Sequence, residues 1–240
     1  MNRITLFLAL IFTLLFSSCF DIVEKIYINK NGNHRYSLTF DMENLLNDPM
    51  MKDAVLESLK QESNMTLDEQ GRISVDSISY FKDDPKFNKS GISKTIKESA
   101  KMHMVINEGK KEMTIKIDFE FEDVSEIASF FDVMKQTEDM GKTLGDPSLF
   151  IFGGKYEMGK KNIKRLPSPK NDLDDIDGME MLKMMMSSAT YTTHYYLPGK
   201  VKKSNFPNST IDNNKVMVTN SILDVIDNKI NLAGEIKFKR

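Results

Sequence analysis

From Tyr36 to Met42 the chain alternates: Tyr36, Leu38, Phe40 and Met42 are apolar, and Ser37, Thr39 and Asp41 are polar. A period of two gives a strand one buried face and one wet face. This segment, Arg35–Met42, reads as the second arm of a hairpin. The first arm is Ile22–Asn29, and Asn31-Gly32 supplies the turn. A second hairpin shows the same pattern more clearly. Met102, Met104 and Ile106 alternate up to Glu108-Gly109-Lys110, and Met113, Ile115, Ile117, Phe119 and Phe121 alternate on the way back. Before it, Arg72–Phe81 reads as a strand and Lys82–Gly91 as a polar loop. At Asp123 the period becomes helical. Asp123 and Glu126 have capping-box spacing, and Val124, Ile127, Phe131 and Met134 share one face.

Other helices are expected from Asp48-Pro49 to Glu62, carrying Met51, Val55 and Leu59, and from Met179 to Ser188. Leu149–Phe152 reads as a short buried strand closed by Gly153-Gly154, and Lys155–Gly178 as a charged, turn-rich stretch. Ala189–Leu197 is a Thr/Tyr-rich strand ended by Pro198-Gly199. Lys215–Asn220 and Ile230–Phe238 are the last strands, with Gly234 marking a bulge or close packing. Seven or eight strands with about three interspersed helices predict an α+β fold, its antiparallel sheet built from sequential hairpins. The recurrence of strand, turn, strand and helix suggests two similar halves.

The first residues follow a different logic. After Met1-Asn2-Arg3, the 13 residues from Ile4 to Phe16 include only two polar ones, Thr5 and Thr13. As a helix this run spans roughly 20 Å, short of a ~30 Å hydrocarbon core. It suits the apolar region of an export signal. Ser17 and Ser18 are the small residues that flank a signal-peptidase cut, and Cys19 follows them. This reading makes residues 1–18 a cleaved signal peptide and 19–240 a single domain. No Ser/Gly/Pro spacer follows Cys19, so the fold is expected to start almost at once.

Composition narrows the classes. The chain has 240 residues, 40% of them hydrophobic, with 33 basic and 35 acidic side chains and a net charge of −2. That is a globular balance, and it argues against a polycation that coats nucleic acid. A single cysteine excludes an internal disulfide framework and a Cys-based zinc site.

No motif assembles a catalytic site or calls for a cofactor. His34, His103 and His194 lie on separate elements and lack metal-ligand spacing. Gly141-Lys142-Thr143 ends like a phosphate-binding loop, but Gln136 stands where Gly is required. Asp172, Asp174, Asp175 and Asp177 suggest a calcium loop, but the twelfth position is Lys183 rather than Glu. Of 17 methionines, Met179, Met181, Met184, Met185 and Met186 crowd one segment. They read as a core stripe before a copper site or a pliable apolar groove. The basic run Lys155, Lys160, Lys161, Lys164, Arg165 and Lys170 reads as a solvated loop before a contact for anionic headgroups.

The segment Leu15-Phe16-Ser17-Ser18-Cys19 resembles the lipobox of bacterial lipoprotein signal peptides, with Phe16 where the family usually has Leu. The resemblance implies diacylglyceryl attachment to the Cys19 thiol and cleavage before it. Phe20 in place of Asp implies sorting to the outer membrane, facing the periplasm. The layout as a whole resembles uncharacterised envelope lipoproteins of Bacteroidota, which implies no particular activity. In the same group, Asp76-Ser77-Ile78 resembles an O-glycosylation signal centred on Ser77. The expected partners are the membrane, through Cys19, and another envelope protein or an apolar ligand, and not nucleic acid. The first reading is a non-enzymatic binding or scaffolding domain. A carrier of lipid or another apolar ligand, or a lipoprotein-assembly factor, comes second. A hydrolase with a site assembled from scattered residues comes third.

Overall fold

β1 (Asp21–Tyr27) and β2 (His34–Asp41) pair antiparallel, as their alternation predicts, across a turn in which Gly32 takes a φ of +88°. That left-handed value favours glycine. The fold is a computed structural model that describes residues 20–47, 52–53, 56–57, 66–135, 153–167, 183 and 186–239. A short helix, α1 (Glu43–Asn47), follows β2, and its first N–H is bonded by the Asp41 carboxylate. Residues 52–53 and 56–57 are also helical. The expected start at Asp48-Pro49 lies outside the described residues, but helix is already present five residues earlier, at Glu43.

β3 (Ser74–Tyr80) matches its predicted strand. The loop expected over 82–91 is corrected. A 3-10 turn covers Phe81–Asp83, α2 covers Pro85–Lys89, and α3 (Lys94–Ser99) follows, capped by Ser93. Phe87 and Ile96 are fully buried. Each of these helices is too short to display a period, so its single apolar anchor is invisible as a pattern. β4 (Lys101–Asn107) and β5 (Glu112–Phe121) form the second predicted hairpin. α4 (Ser125–Met134) then begins with Glu126 Oε2 accepting from the Asp123 N–H at 3.2 Å and Asp123 Oδ1 accepting from the Ser125 N–H at 2.8 Å. Val124, Ile127, Phe131 and Met134 are buried as expected.

The charged stretch expected from 155 is also corrected. β6 (Tyr156–Gly159) and β7 (Asn162–Arg165) make a tight hairpin turning at Lys160-Lys161. β8 (Thr190–Tyr196) and β11 (Lys215–Ser221) match predicted strands. β9 (Val201–Ser204), β10 (Ser209–Asp212) and α5 (Ile222–Ile226) are additional, and β12 is shorter than predicted, Gly234–Phe238. The predicted strand at 149–152, the Gly141-Lys142-Thr143 segment and the aspartates of 172–177 lie outside the described residues. So does most of the predicted Met179–Ser188 helix.

The strands form two sheets, ordered β10-β11-β8-β1-β2-β5-β4-β3 and β6-β7-β12-β9. Among the described residues the fold is mostly β-sheet with short helices, and mostly antiparallel. It is not a simple series of hairpins, because β1 runs parallel to β8, from Asp21↔Thr190 to Tyr27↔Tyr196. Alternation fixes which face a residue occupies but not which strand pairs beside it. The two predicted hairpins sit side by side through β2 and β5.

The inward face of the large sheet is covered by α4 and the small sheet. Phe119 stacks on Phe130 at 4.3 Å between ring centres, and Tyr36 meets Phe131 edge-on at 5.5 Å. Gly234 is a close-packing position, as its sequence context suggested: a Cβ there would lie 2.5 Å from the Phe206 ring. Among the described residues, no helix is long and apolar enough to cross a membrane.

Candidate functional site

Glu24 is the fourth residue of β1, and its alternation points it inward with Ile22 and Ile26. A carboxylate on that face must find donors or neutralise. Glu24 is 0% exposed and finds five. Oε1 accepts from the hydroxyls of Tyr36 at 2.8 Å and Tyr156 at 3.1 Å. Oε2 accepts from Tyr191 Oη at 2.5 Å, Thr193 Oγ1 at 3.0 Å and Arg165 Nη1 at 3.0 Å.

Topology brings these residues together. Thr193 lies directly beside Glu24 in the parallel β1–β8 pair, with Tyr191 two residues before it. Tyr36 comes from β2, and Tyr156 and Arg165 face each other across the β6–β7 hairpin of the other sheet. Glu24 and Arg165 therefore join the two sheets through a fully buried ion pair, their side chains 0% and 1% exposed.

The Arg165 guanidinium lies 5.5 Å from the ring centres of both Tyr156 and Tyr191. Its Nε and Nη2 have no hydrogen-bond partner among the described residues. Those groups sit against aromatic faces, which attract the cation. Gly154 makes room for them, since a Cβ there would be 2.6 Å from Nε. Burial opposes the Arg165 charge, but the oxygens of Tyr156 and Tyr191 and the Glu24 carboxylate outweigh it and hold the guanidinium well above its ordinary range. Burial, and then the charge of Glu24, push the Tyr36 hydroxyl well above its ordinary value. Burial likewise raises Tyr156 and Tyr191 and pushes Tyr195 up to about 12. The tyrosines thus stay protonated as donors. A carboxylate offers about four lone-pair sites. With five donors on it, Glu24 has no open position for a substrate proton or a water, and the constellation acts as a clamp between sheets.

A second constellation occupies the outer face of the large sheet. Tyr27 and Tyr196 stack in parallel at 4.5 Å, with Arg35 over one ring at 5.8 Å and Lys215 over the other at 5.4 Å. Beside them, burial and then Lys215 and Lys25 lower the His194 imidazole to about 4. Burial alone would raise the Asp118 carboxyl. Hydrogen bonds from Lys116 at 2.8 Å and Arg35 at 2.9 Å hold it below its ordinary value instead.

The three histidines singled out from sequence do not come together. Cys19, Ser17 and Ser18 lie outside the described residues. Ser77 lies on β3, an edge strand, half-buried and opposite Met104; its neighbour Asp76 accepts a 2.7 Å bond from His103 Nε2. His34 is buried at the start of β2, where its Nδ1 accepts from the Asn29 N–H at 3.1 Å. His103 and His194 share the outer face, but β1, β2 and β5 lie between their strands. Among the described residues, no group of three or more His, Cys, Asp or Glu side chains is placed to hold a metal.

Sequence reasoning missed the Glu24 cluster. Its one available signal was Glu24 itself, a charge at an inward position between Ile22 and Ile26. No family model matches the chain, and no curated protein or solved structure matches it.

Proposed function

We propose that the chain is a lipid-anchored protein of the bacterial cell envelope, with a periplasmic body, 19–240, that binds or scaffolds and does not catalyse. Residues 1–18 are the export signal, and Cys19 carries a diacylglyceryl group at the outer membrane. The observation that carries this reading is the Leu15-Phe16-Ser17-Ser18-Cys19 segment behind its apolar run, and what the structure adds is how little chain separates Cys19 from the core. Phe20 packs against the core with its ring 6.2 Å from Phe40, and β1 begins at Asp21, in the interior of the large sheet. An acylated Cys19 therefore holds the body at the bilayer with no spacer. Two or more acyl chains make such an anchor durable, where one gives only marginal binding. The occupied lone pairs of Glu24 make the most buried charge cluster of the described residues a structural one, and the partner of the body is another envelope protein or an apolar ligand. Ser77 is the proposed attachment point for an O-glycan.

Intact-mass analysis of the native product tests this. The expected species begins at Cys19 and carries added acyl mass, and a Cys19→Ala variant lacks that mass. Residues 1–18 still attached, or a bare Cys19 thiol, would overturn the proposal. The same spectrum reports hexose additions, which a Ser77→Ala variant should lose.

A further inference from the structure

The small sheet gathers lysines that are remote in sequence. The β6–β7 hairpin and its flank present Lys155, Lys160, Lys161 and Lys164, all exposed. β9, β12 and their flanks add Lys200, Lys202, Lys203, Lys237 and Lys239, also exposed. The register explains the convergence: Lys164 pairs beside Glu235, and Lys237 beside Lys203. Against these nine lysines the same strands carry two carboxylates, Glu157 and Glu235. Glu235 is already engaged, accepting from Asn162 Nδ2 at 2.8 Å and lying 3.6 Å from Lys237 Nζ. Arg165, the one arginine of these strands, points inward to Glu24. Since the whole chain has a net charge of −2, this face is a local segregation of positive charge.

We propose that the outer face of the small sheet rests on the anionic headgroups of the bilayer that holds the anchor. The choice of occupant rests on the anchored reading above. It also has its own support in the chemistry of the face. Lysine is a mobile point charge without the fork by which arginine grips single phosphates or bases, so a lysine-only face suits a diffuse anionic surface. The aromatics of these strands, Tyr156 and Phe238, are buried, which leaves no stacking platform for single-stranded nucleic acid. The small sheet is also near the anchored end, through its inward side. Arg165 bonds Glu24, three residues from Asp21, or roughly 10 Å of strand. Contact must be close, because screening confines the attraction to about 8 Å at physiological salt. Each lysine that reaches an anionic surface raises association by roughly fivefold.

The test uses the native full-length product, reconstituted on vesicles of phosphatidylcholine alone or mixed with phosphatidylglycerol. Surface lysines are acylated with a water-soluble reagent and quantified residue by residue by mass spectrometry. Labelling of Lys164, Lys202, Lys203 and Lys237 is expected to fall several-fold on the anionic vesicles and to recover at high salt. Lys94 and Lys110, exposed on other elements, should not change. A K202E/K203E variant with an unchanged circular dichroism spectrum should lose the protection at Lys164. Equal labelling on the two vesicle types overturns the inference while leaving the anchor standing, as long as the protein floats with both. Protection by added single-stranded DNA but not by anionic vesicles also overturns it. A chain without acyl groups whose lysines are still protected only on anionic vesicles would sink the anchor and uphold the face.

Discussion

Glu24 and Arg165 are residues at which a single substitution should do heavy damage. Removing one partner of a buried ion pair leaves the other charge without compensation, at a cost of about 3–5 kcal/mol. Glu24→Gln also sets an amide donor among hydroxyls that were all donating to the carboxylate. Its urea denaturation midpoint should fall accordingly. Arg165→Met should cost a similar amount by stranding Glu24. The double variant E24Q/R165M buries no charge, so it should lie closer to wild type than the sum of the singles. Additive losses would show that the pair is not coupled. His194 gives a prediction about pH. Its folded value, about 4, lies below the ordinary 6.5, so the folded state favours the neutral ring. The resulting stability is present above pH 6.5 and is lost as pH falls toward 4. His34, lowered by burial, acts in the same direction, so the informative comparison is wild type against His194→Gln. The variant should lose less stability across that window. Identical profiles would mean that the imidazole titrates as it does in the unfolded chain.

Elements were legible where a pattern had room to repeat. β2 and β5 showed their alternation over eight and ten residues, and α4 its period over ten. β6, β7, β9 and β10 have four residues each, too few to show an alternation. The charged side chains from Lys155 to Arg165 made β6 and β7 read as a turn-rich stretch, and β9 and β10 drew no assignment at all. The small sheet was therefore lost, and with it any chance of foreseeing the Glu24 clamp, which needs Tyr156 and Arg165. The glycines of the 153–154 pair show the same limit. Both were visible as a stop signal, but their roles are tertiary. Gly153 sits at φ +75°, where a Cβ would lie 1.9 Å from the Phe131 ring, and Gly154 clears space for Arg165. The parallel β1–β8 contact joins residues about 170 positions apart and has no local signature.

At the scale of the whole molecule, this long-range wiring makes a definite statement about cooperativity. β1, near the N-terminus, pairs with β8, and the small sheet is built from β6 and β7 together with strands near the C-terminus. Neither sheet is a contiguous piece of chain, and the buried clamp spans both. Independent unfolding of either sheet would break the Glu24–Arg165 pair and expose the apolar side chains that the two sheets bury against each other. The molecule should therefore unfold in a single transition. The composition provides the probe: there is no tryptophan, and of the seven tyrosines four, Tyr36, Tyr156, Tyr191 and Tyr195, surround the clamp. Tyrosine emission thus reports mainly the interface between the sheets, while far-ultraviolet circular dichroism reports the strands themselves. In urea the two signals should fall with the same midpoint and slope. If tyrosine emission changed at a lower urea concentration than the strand signal, the sheets would separate before they unfold, and the clamp would be an ornament of the interface rather than what couples its two sides.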